Sequence, residues 1–247
     1  MGEQIRLDKL LSNMGKGSRS EMKDALKYGY IKVNGVVMRT GKDKVDPSVD
    51  EITYKGEVVA YKKHLYLIMN KPQGVISATE DKRHKTVIDL IGEEFSHYEL
   101  FPVGRLDIDT EGLLIITNDG ELTHNLLAPK KHVPKTYFAI VEGHVVETDI
   151  LTFSEGVTLD DGYLCKPADL IIGSYEEGKT EVTLTIHEGK FHQVKRMFES
   201  AGKKVVYLKR VKMNALSLDP NLALGSYREL TENEFEALTE GVFELSE

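Results

Sequence analysis

The first sixty residues change from a helical repeat of apolar positions to a strand-like one. Apolar residues spaced three and four apart predict a helix over 6–14. A second helix begins after Ser18, because Ser18 and Glu21 have capping-box spacing. The β-branched run over 31–37 is interrupted by Asn34-Gly35, which favours a type I′ turn. The pattern predicts a small helix-helix-hairpin domain over residues 1–62.

The pattern after residue 62 is richer in strands. The apolar run over 65–69 is typical of a buried strand, and the alternation over 182–186 is typical of a strand with one wet face. Further strands are predicted over 112–117, 136–142, 180–187, 204–209 and 211–218, and helices over 120–128, 148–154, 190–201 and 231–238. Because this order is not a regular βαβ repeat, we predict an α+β fold with a largely antiparallel sheet over 63–247.

The composition is that of an ordinary globular protein. The 247 residues are 40% hydrophobic and 29% charged, and none of the segments approaches the roughly 18 apolar residues of a membrane span. The first residues lack the apolar stretch of a signal peptide, and the lone Cys165 excludes a disulfide framework. We therefore expect a cytoplasmic protein with no membrane partner, and a monomer by default.

The distribution of charge changes what the net charge of −8 implies. As a whole-chain sum it argues against a nucleic-acid partner, since Lys and Arg carry phosphate binding. Residues 1–44 nevertheless sum to +5 and residues 185–212 to +6, whereas residues 226–247 sum to −6. A charge run is commonly only a solvated face, but two basic stretches in an acidic chain can also face a polyanion. RNA therefore stays open as a partner.

Three segments place charged residues beside tight turns or buried strands, where chemistry is commonly found. Residues 70–74 form a Pro-Gly turn after a predicted strand, which is equally typical of a plain turn. Residues 104–112 run from acidic residues into an apolar strand. Residues 187–198 set a basic stripe beside the predicted apolar face of a helix, where Phe191 joins Val194 and Met197.

The acidic segment also matches a second signature. Asp107-Ile108-Asp109-Thr110 fits the D-x-D-x-T of haloacid-dehalogenase-type phosphotransferases, in which the first Asp ends an apolar strand. Here the apolar strand follows the motif, and no downstream acidic pair supplies further magnesium ligands, so we set this interpretation aside. The histidines and the single cysteine lack metal-ligand spacing, which predicts no metal site.

Ordered motifs in this chain resemble known families. RLDKLL, the SRSE cap and the VNG hairpin are similar to the S4-type RNA-binding domain, and NKPQG, GRLDIDTEGLLIITNDG, KTY and EGKFHQVKRMF resemble the RsuA-type branch of pseudouridine synthases. The resemblance implies that the chain isomerises a uridine of ribosomal RNA to pseudouridine without a cofactor. GRLDIDT and the C-terminal segment imply the small-subunit 16S rRNA, free or in an assembly intermediate. Large-subunit 23S rRNA and a non-catalytic rRNA-binding assembly factor are the alternatives.

The resemblance also implies roles for individual residues. Asp107 acts at the ribose as a nucleophile or as a base, and Tyr137 stacks on the flipped base and assists proton removal at C5. Lys195 keeps Asp107 ionised and oriented, although a purely structural salt bridge between them is an alternative. RNA contacts are expected from Arg105, Lys71, His192, Arg196, Arg6, Lys9, Arg19, Lys23 and Lys32.

Overall fold

The computed structural model describes residues 4–243 and divides the chain into two compact units. The first comprises the described part of Met1–Leu65 together with Gly92–Glu99, and the second comprises Tyr66–Ile91 and the described part of Leu100–Glu247. Both units combine helices with antiparallel sheet, so the predicted α+β class is confirmed. The boundary expected near residue 62 stays a prediction.

The N-terminal unit contains two helices and two small sheets. The helices are α1 (Leu7–Asn13) and α2 (Arg19–Lys27). The strands are β1 (Ile5–Arg6), β2 (Ile31–Val33), β3 (Val36–Val37), β4 (Lys44–Val45), β5 (Ile52–Tyr54) and β6 (Glu57–Val58). β1 pairs with β4, and the other strands form a sheet of order β3-β2-β5-β6, antiparallel throughout.

Local chemistry accounts for these elements. The Ser18 hydroxyl accepts from the Glu21 backbone amide while the Glu21 carboxylate accepts from the Ser18 amide, which is the predicted capping box. Asn34 and Gly35 have positive φ angles of 49° and 79°, as the tight hairpin requires. The predicted helices and hairpin are thus observed, and their apolar residues, including Leu10, form a buried core.

The larger unit is built on one sheet. Its strands are β7 (Tyr66–Lys71), β8 (Phe101–Pro102), β9 (Glu111–Thr117), β10 (Lys135–Glu142), β11 (Asp169–Glu176), β12 (Lys179–Ile186), β13 (Lys204–Met213), β14 (Leu216–Ser217) and β15 (Tyr227–Glu229). Its helices are α3 (Gly120–Leu127), α4 (Glu147–Glu155), α5 (Gln193–Ser200) and α6 (Glu232–Thr239). The order is β11-β12-β10-β13-β9-β7-β15, with β14 on β13 and β8 on β9. Only β13 and β9 pair in parallel among the described strands.

Several details differ from the sequence prediction. The strands expected over 204–209 and 211–218 are mostly one continuous strand, β13, followed by the short β14. The edge strand β11 was missed because it buries little apolar surface, and Ile171 is 64% exposed. Helix α5 begins at Gln193 rather than at residue 190, since His192 has a left-handed φ of 49° that interrupts the helix.

One row of paired residues crosses the centre of this sheet. Lys71 on β7 pairs with Gly112 on β9, Gly112 with Arg210 on β13, and Arg210 with Tyr137 on β10. Side chains alternate between faces along a strand. These four residues therefore lie on the face opposite the one where Leu113 packs with residues of α3 and α6.

Candidate active site

The segment that carries Asp107 is held by a buried lysine. The Lys71 side chain is fully buried, and its Nζ donates to the carbonyl oxygens of Pro72 at 3.1 Å and of Asp107 and Thr110 at 2.9 Å. The Ser77 hydroxyl contributes on the other side, donating to the Leu106 carbonyl and accepting from the Leu106 amide, each at 3.0 Å. The backbone before and after Asp107 is therefore fixed.

Burial changes the acid-base chemistry of this lysine. Loss of water around the ammonium group lowers the pKa of Lys71 from 10.5 to about 8, although Asp107, Asp109 and Glu111 act in the opposite direction. The ammonium form can donate to all three carbonyls at once. Lys71 is thus a structural clamp whose protonation state can change in mildly alkaline solution.

The Asp107 carboxylate meets two side chains from the region of α5. Lys195 Nζ lies 3.1 Å from Asp107 Oδ2 and 2.6 Å from Asp109 Oδ1, and His192 Nε2 lies 3.5 Å from Asp107 Oδ1. Burial alone would lower the pKa of Lys195, but its hydrogen bonds to Asp109 and Asp107 outweigh burial and raise it. Lys195 therefore stays cationic between two carboxylates. Asp107 keeps 27% of its side chain exposed, which leaves it accessible to a substrate.

Tyr137 lies in the same cross-strand row as Lys71. Its side chain is buried beside Arg210, which occupies the next strand and donates from Nε to the Leu113 carbonyl at 2.8 Å. Gly112 allows strands β9 and β13 to come this close. Its φ is 105°, and a Cβ at this position would collide with the Arg210 backbone. The sheet therefore places Tyr137 on the face and near the strand end where Lys71 supports the Asp107 segment.

The residues expected to contact RNA have different surroundings. Arg105 is exposed, as are Lys9, Arg19, Lys23 and Lys32 in the N-terminal unit. Arg6 instead donates to Asp8 from Nε at 3.1 Å and from Nη2 at 2.6 Å. Arg196 lies between Asp160 and Asp161, with its Nε 2.6 Å from Asp160 and its Nη2 2.7 Å from Asp161. Those partners already occupy the Arg6 and Arg196 guanidinium groups.

Two acidic residues that the sequence did not single out form contacts in the site or beside it. Asp109 shares Lys195 with Asp107, and the D-x-D spacing was the available signal for it. The buried Glu188 carboxylate accepts hydrogen bonds from the Tyr163 hydroxyl, the Lys166 backbone amide and the Gln193 side-chain amide, at 2.7–3.0 Å. No local pattern connects Tyr163 with Glu188, because the contact depends on tertiary structure.

Residues 4–243 contain neither a metal-binding cluster nor a helix that could span a membrane. No group of three or more His, Cys, Asp and Glu side chains in that range is arranged to hold a metal ion. No helix of that range has the length and apolar character needed to cross a bilayer.

Two family models match this chain. The model for RNA pseudouridylate synthases matches residues 65–200, which include Asp107, Tyr137 and Lys195, and the S4 domain model matches residues 5–50. The chain belongs to the RNA pseudouridylate synthase family. The resemblance to pseudouridine synthases is therefore confirmed, and the phosphotransferase reading of the D-x-D-x-T motif stays set aside.

Individual relatives of this pseudouridine synthase match along almost their whole length. It is 52% identical to an uncharacterized RNA pseudouridine synthase, YtzG, of Bacillus subtilis over 96% of this chain and 99% of that protein. It is 38% identical to ribosomal small subunit pseudouridine synthase A of Escherichia coli, over 93% and 98% of the two chains. A crystal structure of a pseudouridylate synthase superposes with a TM-score of 0.65 at 34% identity, over 95% and 99% of the two chains.

Proposed function

We propose that this enzyme isomerises one uridine of small-subunit ribosomal RNA to pseudouridine, with Asp107 as the catalytic carboxylate and no cofactor. The observation that carries the proposal is the Asp107 carboxylate, which is exposed on one side, paired with Lys195 at 3.1 Å, and held on a backbone segment fixed by Lys71. The family supplies the reaction class, and the chain's own residues supply the roles.

The reaction requires one bond to break and another to form. The bond between C1′ of the ribose and N1 of uracil is cleaved, the base turns, and C5 bonds to C1′ while a proton leaves C5. N1 takes up a proton as C5 loses one, so uridine and pseudouridine are isomers and no redox or group-transfer reagent is needed. Asp107 acts at the ribose either as a nucleophile or as a base, and both routes need an ionised carboxylate in a fixed position.

The surrounding residues would serve that carboxylate. Lys195 donates to both Asp107 and Asp109, so it holds the Asp107 carboxylate in one orientation and balances its charge. Tyr137 would stack on the uracil after it leaves the RNA helix and assist removal of the C5 proton. Arg105, exposed two residues before Asp107, would approach the RNA backbone or the space left by the flipped nucleotide.

The choice of ribosomal RNA depends on the relatives and on the N-terminal unit. The 38% identical Escherichia coli relative is named a small-subunit enzyme, and an S4 domain with exposed Lys9, Arg19, Lys23 and Lys32 suits an RNA partner. The alternative targets are 23S rRNA and a ribosomal assembly intermediate. Membership in a family of enzymes favours the isomerase over a non-catalytic assembly factor.

The first experiment is a matched pair of isosteric substitutions. Asp107→Asn should reduce pseudouridine formation on 16S rRNA to below about one thousandth, because the amide cannot serve as a nucleophile or base. Asp109→Asn alters the other partner of Lys195 and should leave activity within about tenfold of wild type, since only one charge-assisted hydrogen bond changes. Carbodiimide modification followed by primer extension measures the product. Wild-type turnover by Asp107→Asn would overturn the catalytic assignment.

The second experiment identifies the target. Mapping pseudouridine in the rRNA of a strain that lacks this enzyme should show one missing position in 16S rRNA, restored by the wild-type gene and not by the Asp107→Asn gene. A missing position in 23S rRNA would contradict the small-subunit assignment and leave the enzyme class intact. A complete set of pseudouridines would contradict the proposal that ribosomal RNA is the substrate.

A further inference from the structure

Phe191 stands in solvent where the sequence places it on a buried helix face. It is 72% exposed, more than any other aromatic side chain among residues 4–243. The helix begins only at Gln193, so Phe191 lies in the preceding turn and does not join Val194 and Met197 in the core. A single exposed apolar side chain is not unusual by itself, so the case for a binding role depends on what this ring contacts.

The turn holds the Phe191 ring in one position. The ring stacks on the His192 ring with centroids 3.7 Å apart and an angle of 18° between the planes. The Lys190 amide donates to Gln193 Oε1 at 2.9 Å, and Arg196 Nη1 donates to the Phe191 carbonyl at 3.3 Å. His192 has a left-handed φ of 49°, which ends the turn and begins the helix at the next residue. The ring is therefore pre-oriented.

The location of this ring connects it to the reaction. His192 Nε2, at the edge of the imidazole, lies 3.5 Å from Asp107 Oδ1, and the Phe191 ring stacks on the face of the same imidazole. The uridine that reacts must contact Asp107 itself. The Phe191 ring adjoins the site through His192, which suits contact with an adjoining nucleotide.

We propose that Phe191 is a stacking platform for the nucleobase next to the uridine that is isomerised. This proposal rests on the proposed function. When the uridine leaves the RNA stack, the neighbouring base loses the uracil as its stacking partner. An aromatic ring of the protein can then stack on that neighbouring base in place of the uracil. Every base has a flat π face, so this contact contributes affinity and positions the strand without selecting one base.

The first test uses substitutions at Phe191 and at a matched control. Phe191→Leu keeps an apolar side chain and removes the ring; it should raise KM about tenfold and change kcat less than threefold, because stacking of one base contributes about 5- to 150-fold in affinity. Phe191→Tyr should restore the wild-type KM. Tyr175→Leu is the control, since Tyr175 is also exposed and stacked on a histidine, His144, but lies on edge strand β11. A wild-type KM for Phe191→Leu would overturn the proposal.

The second test detects the stack directly. The chain contains no tryptophan, so Phe191→Trp introduces a single tryptophan, whose emission is excited at wavelengths where the tyrosines do not absorb. In the Asp107→Asn background, an RNA fragment of about 30 nucleotides around the uridine modified by the wild-type enzyme should quench this emission by contact with the stacked base. An abasic site at one neighbour of that uridine should abolish the quenching, and abasic sites elsewhere should not. Equal quenching by every abasic fragment would overturn the platform.

The two proposals fail separately. The sequence of the RNA fragment is taken from the position that the wild-type enzyme modifies. The stacking test therefore applies whichever ribosomal RNA carries that uridine. A 23S target would therefore contradict the small-subunit assignment while leaving the stacking test in force. Activity that survives Asp107→Asn would contradict the catalytic proposal, whereas the KM of Phe191→Leu decides the platform by itself.

Discussion

Substitution of Lys71 by methionine isolates the effect of the buried clamp on stability. Methionine has a similar length and no charge, so packing around the side chain is largely kept. Three carbonyl oxygens, of Pro72, Asp107 and Thr110, lose the donor that they share, which is a fully buried side chain. At about 1–3 kcal/mol for each unsatisfied group, the loss is about 6 kcal/mol.

Removal of the buried Lys71 charge offsets part of this loss of stability. The pKa of Lys71 falls from 10.5 to about 8, and each pKa unit corresponds to about 1.36 kcal/mol, so holding the ammonium in this site costs about 3 kcal/mol relative to water. The difference predicts that Lys71→Met lowers the free energy of unfolding by about 2–3 kcal/mol. We also expect kcat to fall at least about tenfold, because Asp107 loses its backbone support.

Lys135 provides the matched control for stability. Its burial, with a smaller effect of Arg210, also lowers the pKa to about 8, but its Nζ donates to only one carbonyl, that of Val133, at 2.8 Å. Lys135→Met should therefore be neutral or stabilising by about 1 kcal/mol. Urea unfolding at pH 7, followed by circular dichroism, measures both variants. Equal changes in the two free energies of unfolding would refute this reasoning.

The pH dependence of the Lys71→Met effect follows from the same pKa. The folded-state value of about 8 is below the unfolded value of 10.5, so between these pH values the unfolded chain binds more protons than the folded chain. The stability that Lys71 contributes therefore rises with pH across this window. The difference between wild type and Lys71→Met in urea should be larger at pH 9.5 than at pH 7, and a constant difference would contradict the assignment.

Two further predictions concern other parts of the larger unit. Gly112→Ala should destabilise the protein by about 3 kcal/mol or more, because its φ of 105° and the adjacent Arg210 backbone exclude a Cβ, whereas Gly120→Ala, with open space around it, should leave the melting temperature unchanged or slightly raised. Hydrogen bonds from Arg228 lower the pKa of Glu234 from 4.5 to about 2, so the stability that this pair contributes should be lost as the pH falls from about 4.5 to 2. In urea unfolding, the free energy of unfolding of Glu234→Gln should therefore decline less over this range than that of the wild type. An equal decline would refute the role of the pair.

Local patterns were sufficient for the elements that depend on neighbours in sequence. The capping box at Ser18 and the turn at Asn34-Gly35 are determined by contacts within three residues, and both are observed. Edge strand β11 was missed because its side chains are mostly exposed and lack a clear alternation. Phe191 was misplaced because helical spacing alone does not reveal the left-handed His192 that interrupts the helix.

The candidate site depends more on distant contacts. The resemblance pointed to Asp107 and Lys195, which are 88 positions apart in the sequence. In the structure, Lys195 Nζ lies 3.1 Å from Asp107 Oδ2. No periodicity shows that Lys71 binds the Asp107 carbonyl, or that Arg196 pairs with Asp160 rather than facing solvent. Such contacts arise from strand register and loop path, and a linear pattern does not encode either in a readable form.

The way Lys71 holds the Asp107 segment has a consequence for evolution. Lys71 binds the carbonyl oxygens of Asp107 and Thr110, and every amino acid supplies such an oxygen. The exposed side chains at positions 105 and 108 can therefore be exchanged without removing the hydrogen bonds that keep the carboxylate in place. A loop supported through its backbone can acquire new RNA preferences by surface substitution while its chemistry is preserved.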